Sequence, residues 1–294
     1  MSFSSEIKEK LCGAADACAF CSAALLAGVF RFAGRARPDG LLLATENRAV
    51  AALVEREFLE CFGIEIRFAY KASGRLYSLL LQDEHLLENV KERLFPETEA
   101  ELEQLFPFQC CKAAFVRGAF LGGGSISDPE KNYHLEFDAG GERAAGELAA
   151  VLEQLGAASK MTRRKNRCIV YIKGYETIAD VLGIIGAGSA ALEIYNVSIE
   201  KEIRNQVNRQ VNCENANIDK VAQAYCKHLQ AIEKIKRNIG LDKLPESLQE
   251  IARVRLEYPD ESLKELGKRL EKPIGKSGVN HRLNRLIALA EELK

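Results

Sequence analysis

The chain has 294 residues, 47% of them hydrophobic and 28% charged, with a formal net charge of −1. That composition is typical of a globular protein long enough for two hydrophobic cores, and it excludes a disordered or fibrous chain. The longest uncharged apolar run, 17–30, is shorter than the roughly 20 residues a membrane-spanning helix needs. The N-terminal stretch MSFSSEIKEKLCGAADAC has no export signal, so the expectation is a cytoplasmic protein without a membrane partner.

Nine cysteines without an export signal fit free thiols in a reducing compartment. Cys18 and Cys21 form a C-x-x-C, and Cys110 and Cys111 are adjacent. Both groups lie in apolar, alanine-rich sequence and the second pair lacks the usual zinc spacing, so they are read as buried core thiols. No metal and no cofactor is expected.

In chain order, an apolar helix is predicted over about 18–32 and runs into LAGVFRFAG (26–34). A strand follows in GLLLATE, then a helix in NRAVAALVEREFLECFG, strands in IEIRFAY and RLYSLLL, and a helix in DEHLLENVKERL. The same order returns as CKAAFVRGAF, YHLEF, GERAAGELAAVLEQLG, SKMTRR, RCIVYI and YETIADVLGIIG, and Gly118 follows Gly28 by 90 positions. Helix, strand, helix, strand, strand, helix therefore occurs twice. The expectation is one pseudo-twofold α+β domain over 1–190, with copies at about 18–95 and 108–187. Gly28 and Gly118 are the expected repeat interface, because a residue without Cβ lets two helix backbones approach closely.

LAGVFRFAG and VRGAFLGGG resemble the LAGLIDADG motif of homing endonucleases, in which paired helices each end in an acidic residue that binds a catalytic divalent metal. The resemblance implies that fold, but the eighth letters here are Ala33 and Gly123. Neither offers the oxygen ligand that metal-assisted phosphodiester cleavage requires. GGGSIS (122–127) follows a helix and lacks the P-loop lysine, so its glycines are expected to end the helix and turn the chain. Asp128, Glu136 and Asp138 are expected to be solvated strand-edge acids.

Charge then shifts along the chain: residues 1–194 carry 22 Lys and Arg against 27 Asp and Glu, and 195–294 carry 19 against 15. The asparagine-rich stretch 205–217 is expected to break regular structure, giving a linker over 191–217 and a helical domain over 218–294. Asn217 or Asp219 would cap its first helix, whose apolar stripe is Val221, Tyr225, Leu229, Ile232 and Ile235. A short helix is expected from Glu246 to Glu257.

A helix-turn-helix is expected at about 261–293. Ser262 and Glu265 form a capping box, Leu263, Leu266 and Leu270 mark one face, and Ser277 is placed to cap the second helix. Val279, Leu283, Leu286 and Ala290 would face inward. Between Lys268 and Arg285 there are six Lys and Arg against the single acid Glu271, a concentration suited to the DNA backbone. The expected DNA-binding residues are Lys268, Arg269, Lys272, Lys276, Ser277, Asn280, His281, Arg282 and Arg285. Lys and Arg neutralise phosphate, Arg bridges guanine, and Asn pairs with adenine.

Together, the double motif without its acids, the stretch RNQVNRQVNCENANIDK and the terminal SLKELGKRL…GKSGVNHRLNRL closely resemble the WhiA family of bacterial DNA-binding regulators. The resemblance covers nearly the whole chain. It implies a nucleoid-associated transcriptional regulator that binds double-stranded promoter DNA and acts in cell division, chromosome segregation or sporulation. In actinobacteria it also implies a WhiB-type iron–sulfur partner. The competing readings are a divalent-metal-dependent endonuclease using acids outside the motif and an adaptor whose basic end meets an acidic protein.

Overall fold

The computed structural model describes residues 2–15, 17–72 and 75–293; positions 1, 16, 73, 74 and 294 lie outside the described residues. The chain divides into one unit running to Glu202 and a second from Ile203.

The first unit opens with α1 (Phe3–Cys12), whose Ser2 cap accepts the N–H of Ser5. The first copy comprises α2 (Cys21–Ala33), β1 (Gly34–Arg37), β2 (Gly40–Thr45), α3 (Arg48–Phe62), β3 (Ala69–Lys71), β4 (Leu76–Leu81) and α4 (Glu84–Leu94). After α5 (Glu99–Leu105), the second copy comprises α6 (Gln109–Gly123), β5 (Gly124–Ile126), β6 (Leu135–Asp138), α7 (Glu142–Gln154), β7 (Lys160–Arg164), β8 (Arg167–Ile172) and α8 (Tyr175–Ile184). Two antiparallel sheets of identical topology result, β1-β2-β4-β3 and β5-β6-β8-β7, with Gly34 opposite Leu43 in one and Gly124 opposite Phe137 in the other.

Each copy therefore has one strand more than the sequence pattern predicts. Strands β1 (GRAR) and β5 (GSI) are too short and polar to show a period of two. Gly122 and Gly123 stay in the helix, and Gly124 leads straight into a strand instead of a turn. In IEIRFAY only Ala69 and Tyr70 enter a strand; the Phe68 N–H goes to Glu55 Oε1 at 2.7 Å, outside any ladder.

Helices α2 and α6 form the centre of this unit, and both are buried almost all round. A Cβ on Gly28 would lie 2.3 Å from the Phe115 carbonyl oxygen, and one on Gly118 would lie 2.0 Å from that of Leu25. The two backbones are thus in direct contact, and neither position has room for a methyl group. Across the same seam, buried Arg31 of α2 meets Glu147 of α7 at 2.7 Å and lies between the rings of Phe95 and Phe115.

The linker expected over 191–217 is helical. A single helix, α9 (Gly188–Asn238), runs through 205–217, so Asn217 and Asp219 lie inside a helix and cap nothing. No Gly or Pro occurs between Gly188 and Gly240, and an asparagine costs a helix only about 0.7 kcal/mol relative to alanine. Val221 is exposed; the buried stripe begins further on, with His228, Ile232 and Ile235. A 3₁₀ turn (Leu241–Lys243), α10 (Glu246–Glu257), α11 (Leu263–Arg269) and α12 (Lys276–Glu292) complete the second unit.

Alanine normally stabilises a helix interior over glycine by up to about 1 kcal/mol. At Gly28 or Gly118 the sign reverses: each Gly→Ala variant is expected to lose at least about 1–3 kcal/mol through overpacking, read as a lower melting temperature. A rise would contradict the direct backbone contact. Glu147→Ala leaves Arg31 buried without its carboxylate and is expected to cost about 3–5 kcal/mol, whereas Arg31→Met with Glu147→Leu recovers most of that loss. Chemical denaturation of the three proteins measures both.

Candidate nucleic-acid interface

Helices α10, α11 and α12 pack on one another around Leu248, Ile251, Leu266, Leu270, Val279, Leu283 and Leu286, all buried. The capping box at the start of α11 is formed: Ser262 Oγ accepts the Glu265 N–H, and Glu265 Oε2 accepts the Ser262 N–H at 2.9 Å. Gly267 sets the turn. A Cβ there would lie 2.2 Å from the Ile274 carbonyl oxygen, and the Ile274 N–H returns to the Gly267 carbonyl at 3.0 Å. Gly267 is absent from the expected site residues, although its place between the core leucines Leu266 and Leu270 marks a close approach.

Glu250 of α10 ties the turn down from the other side. Its carboxylate accepts the Glu271 N–H at 2.5 Å and faces Arg282 at 3.5 Å. Arg282 is half-buried and also reaches the Ser247 carbonyl. Arg269 is held by both Glu261 oxygens and covers the Tyr258 ring at 3.7 Å from its centroid. Two of the nine expected DNA contacts are thus occupied within the protein.

The other seven, Lys268, Lys272, Lys276, Ser277, Asn280, His281 and Arg285, are exposed. The last five lie on α12, away from buried Val279, Leu283 and Leu286. Ser277 is not the cap. Gly275 occupies that position in extended conformation without a side-chain bond, which places Ser277 in the first turn. The backbone N–H groups of that turn have no capping side chain, an arrangement that favours an anion.

The first unit retains the motif helices but not their acids. Ala33 ends α2 and Gly123 ends α6. A Cβ on Gly123 would sit 2.7 Å from the Asp138 carbonyl oxygen, so the position also lacks space for an aspartate. Asp138 accepts Arg167 Nε at 2.7 Å, Glu136 pairs with His134 and Arg164, and Asp128 accepts the Glu130 N–H. All three acids are half-buried with partners, and Glu136 and Asp138 lie on the inner strand β6, which corrects the expected strand-edge position. Of the four cysteines expected to be buried core thiols, Cys21 and Cys111 are buried and Cys18 and Cys110 half-buried, and all four are drawn together at the heads of α2 and α6.

The architecture is that of a duplicated LAGLIDADG-like unit followed in the same chain by a helix-turn-helix domain. Residues 112–204 match the WhiA LAGLIDADG-like domain and residues 207–290 the WhiA C-terminal HTH domain. The chain is 40% identical over its full length to the probable cell division protein WhiA of Clostridium botulinum, covering 99% of that protein, and 41% identical to the protein of the same name from Clostridium beijerinckii, again over 99%. The crystal structure of full-length DUF199/WhiA from Thermatoga maritima matches all of this chain and 99% of its own, with 26% identity and a TM-score of 0.60. The chain belongs to the WhiA family.

No helix among the described residues is long and apolar enough to cross a membrane.

One buried group makes the second unit acid-sensitive. His228 of α9 is 4% exposed, its Nδ1 has no hydrogen-bond partner among the described residues, and burial, with the Arg255 charge second, lowers its pKa from 6.5 to about 4. The native state therefore holds His228 neutral while the unfolded chain protonates it, so stability is full above pH 6.5 and falls as the pH drops from 6.5 to 4. Each pH unit in that window removes at most about 1.4 kcal/mol. His228→Leu is expected to flatten this part of the melting temperature versus pH curve; an unchanged slope would assign the acid sensitivity to other groups.

Proposed function

We propose that this protein is a DNA-binding transcriptional regulator without nuclease activity, which reads promoter DNA by laying α12 in the major groove. The observation that carries the reading is the surface of α12, where Lys276, Asn280, His281 and Arg285 are exposed while Val279, Leu283 and Leu286 are buried. A second helix packed on a first across a glycine-closed turn is how such motifs present base-reading side chains. Lys268 and Lys272 flank it and meet phosphates. Arg269 and Arg282, paired with Glu261 and Glu250, act in this reading by holding the motif together.

Kinship with proteins named for cell division supports a role in that process, with nucleoid association and chromosome segregation as its site and consequence. In an actinobacterial host the role would extend to sporulation with a WhiB-type iron–sulfur partner. The absence of acids at Ala33 and Gly123 supports a scaffold without cleavage chemistry.

A salt titration of binding to promoter fragments and to random DNA separates the roles. Lys276→Ala and Arg285→Ala are expected to weaken both and to flatten the slope of log affinity against log salt by about 0.9 each. Asn280→Ala leaves the slope unchanged and costs roughly 1–3 kcal/mol on the specific site alone. Variants that retain their fold and bind both DNAs like the parent at every salt concentration would remove α12 from the interface. Supercoiled plasmid incubated with the protein and Mg²⁺ or Mn²⁺ is expected to stay intact. Chelator-sensitive nicking that scales with protein would establish the endonuclease instead.

A further inference from the structure

Four thiols at the head of the central helix pair lie outside the residues proposed above to contact DNA. Cys18 lies in the turn before α2, Cys21 is the first residue of α2, and Cys110 and Cys111 are in the first turn of α6. Cys18 Sγ is 3.5 Å from Cys21 Sγ, 3.5 Å from Cys110 Sγ and 3.6 Å from Cys111 Sγ, and all four sulfurs lie within 4.8 Å of one another. A disulfide requires about 2.05 Å, so these are four separate sulfurs. Four thiolates bound tetrahedrally at a Zn–S length of about 2.3 Å stand about 3.8 Å apart, close to the spacing found here. A multinuclear iron–sulfur cluster would hold its ligands further apart, around several iron atoms.

We propose that Cys18, Cys21, Cys110 and Cys111 form a mononuclear tetrathiolate zinc site that staples the two copies of the repeat together. Cys18 and Cys21 come from the first copy and Cys110 and Cys111 from the second, so one ion crosslinks the heads of α2 and α6. A purely apolar role accounts for Cys21 and Cys111, which are buried, but less well for Cys18 and Cys110, which are only half-buried. The rings of Phe20 and Phe108, 6.2 Å apart and more than half exposed, belong to the same two segments and pair beside the cluster. Binding displaces the thiol protons to solvent and leaves four Zn–S bonds, with no redox change.

The full-length protein, expressed and purified under reducing conditions without chelator, is expected to contain one zinc per chain by mass spectrometric metal analysis. After acid stripping, added Co²⁺ should give the visible d–d bands and near-ultraviolet charge transfer of a tetrahedral tetrathiolate, and Zn²⁺ should abolish them. Removal of zinc should lower the melting temperature, and reloading should restore it. The double variant Cys18→Ser with Cys110→Ser should lose the metal, whereas Cys213→Ser, at an exposed position in α9, should retain it. The cobalt titration of the unaltered chain keeps the test valid if the double variant fails to fold. Reduced protein that carries no zinc and gives no cobalt spectrum would overturn the proposal. Stoichiometric iron in place of zinc, or a disulfide among the four cysteines in the reduced preparation, would overturn it equally.

Discussion

The backbone contact between α2 and α6 is the constraint on which the first unit depends. With Gly28 against the Phe115 carbonyl and Gly118 against that of Leu25, the helices are closer than side chains would permit, and their positions along each other are fixed. Each helix then runs directly into a strand, β1 from α2 and β5 from α6, so the two sheets begin at equivalent points and repeat one topology. The same closeness leaves no room at the lower end of the seam. Gly123 abuts the Asp138 backbone, where a nuclease of this fold would need a carboxylate and a cation. At the upper end the closeness gathers the cysteines.

Symmetry of the backbone does not extend to the side chains, and each departure places chemistry on one side only. Arg31 occupies the sixth place of the first motif and Leu121 the same place of the second; only the arginine crosses the seam, to Glu147. Burial of that pair carries a desolvation cost that its short contact and the flanking rings offset. By the repeat spacing Cys21 corresponds to Cys111, whereas Cys18 corresponds to Phe108 and Phe20 to Cys110, so one thiol pair duplicates across the pseudo-twofold and the other two thiols alternate with rings.

In the second unit the basic stretch divides by carboxylate geometry. Glu261 and Glu250 lie where they capture Arg269 and Arg282, and Glu250 also accepts the N–H of Glu271 within the turn. These contacts fix the approach of α11 to α12. Lys268 on α11, Lys272 in the turn and Lys276 and Arg285 on α12 have no such ion pair among the described residues and face solvent. Counting charges therefore locates the surface, whereas the pairing decides which charges a polyanion meets.

The sequence by itself determined the features carried by local pattern. Helical spacing of Val279, Leu283, Leu286 and Ala290 fixed the inward face of α12, Ser262 and Glu265 fixed the start of α11, and the paired motifs fixed the duplication and the absence of its acids. A hydrophobic period or a cap is written within a few residues, so no distant partner is needed to read it. Helix α9 was not legible as one element: its asparagines suggest a linker, although fifty of its residues are free of glycine and proline. Thr98 and Glu101 form the capping box of α5, a helix that the predicted elements leave out although the T-x-x-E spacing is local. Only the tertiary structure decided that β1 and β5 are strands, because three or four polar residues become a strand through the ladder of a neighbour. It also decided that Arg269 and Arg282 are held inside the motif, and that Cys18 and Cys111, 93 positions apart, bring their sulfurs to 3.6 Å. Such contacts depend on where two helices cross, and that is set by backbone packing at Gly28 and Gly118, seven residues along α2 from Cys21 and seven along α6 from Cys111.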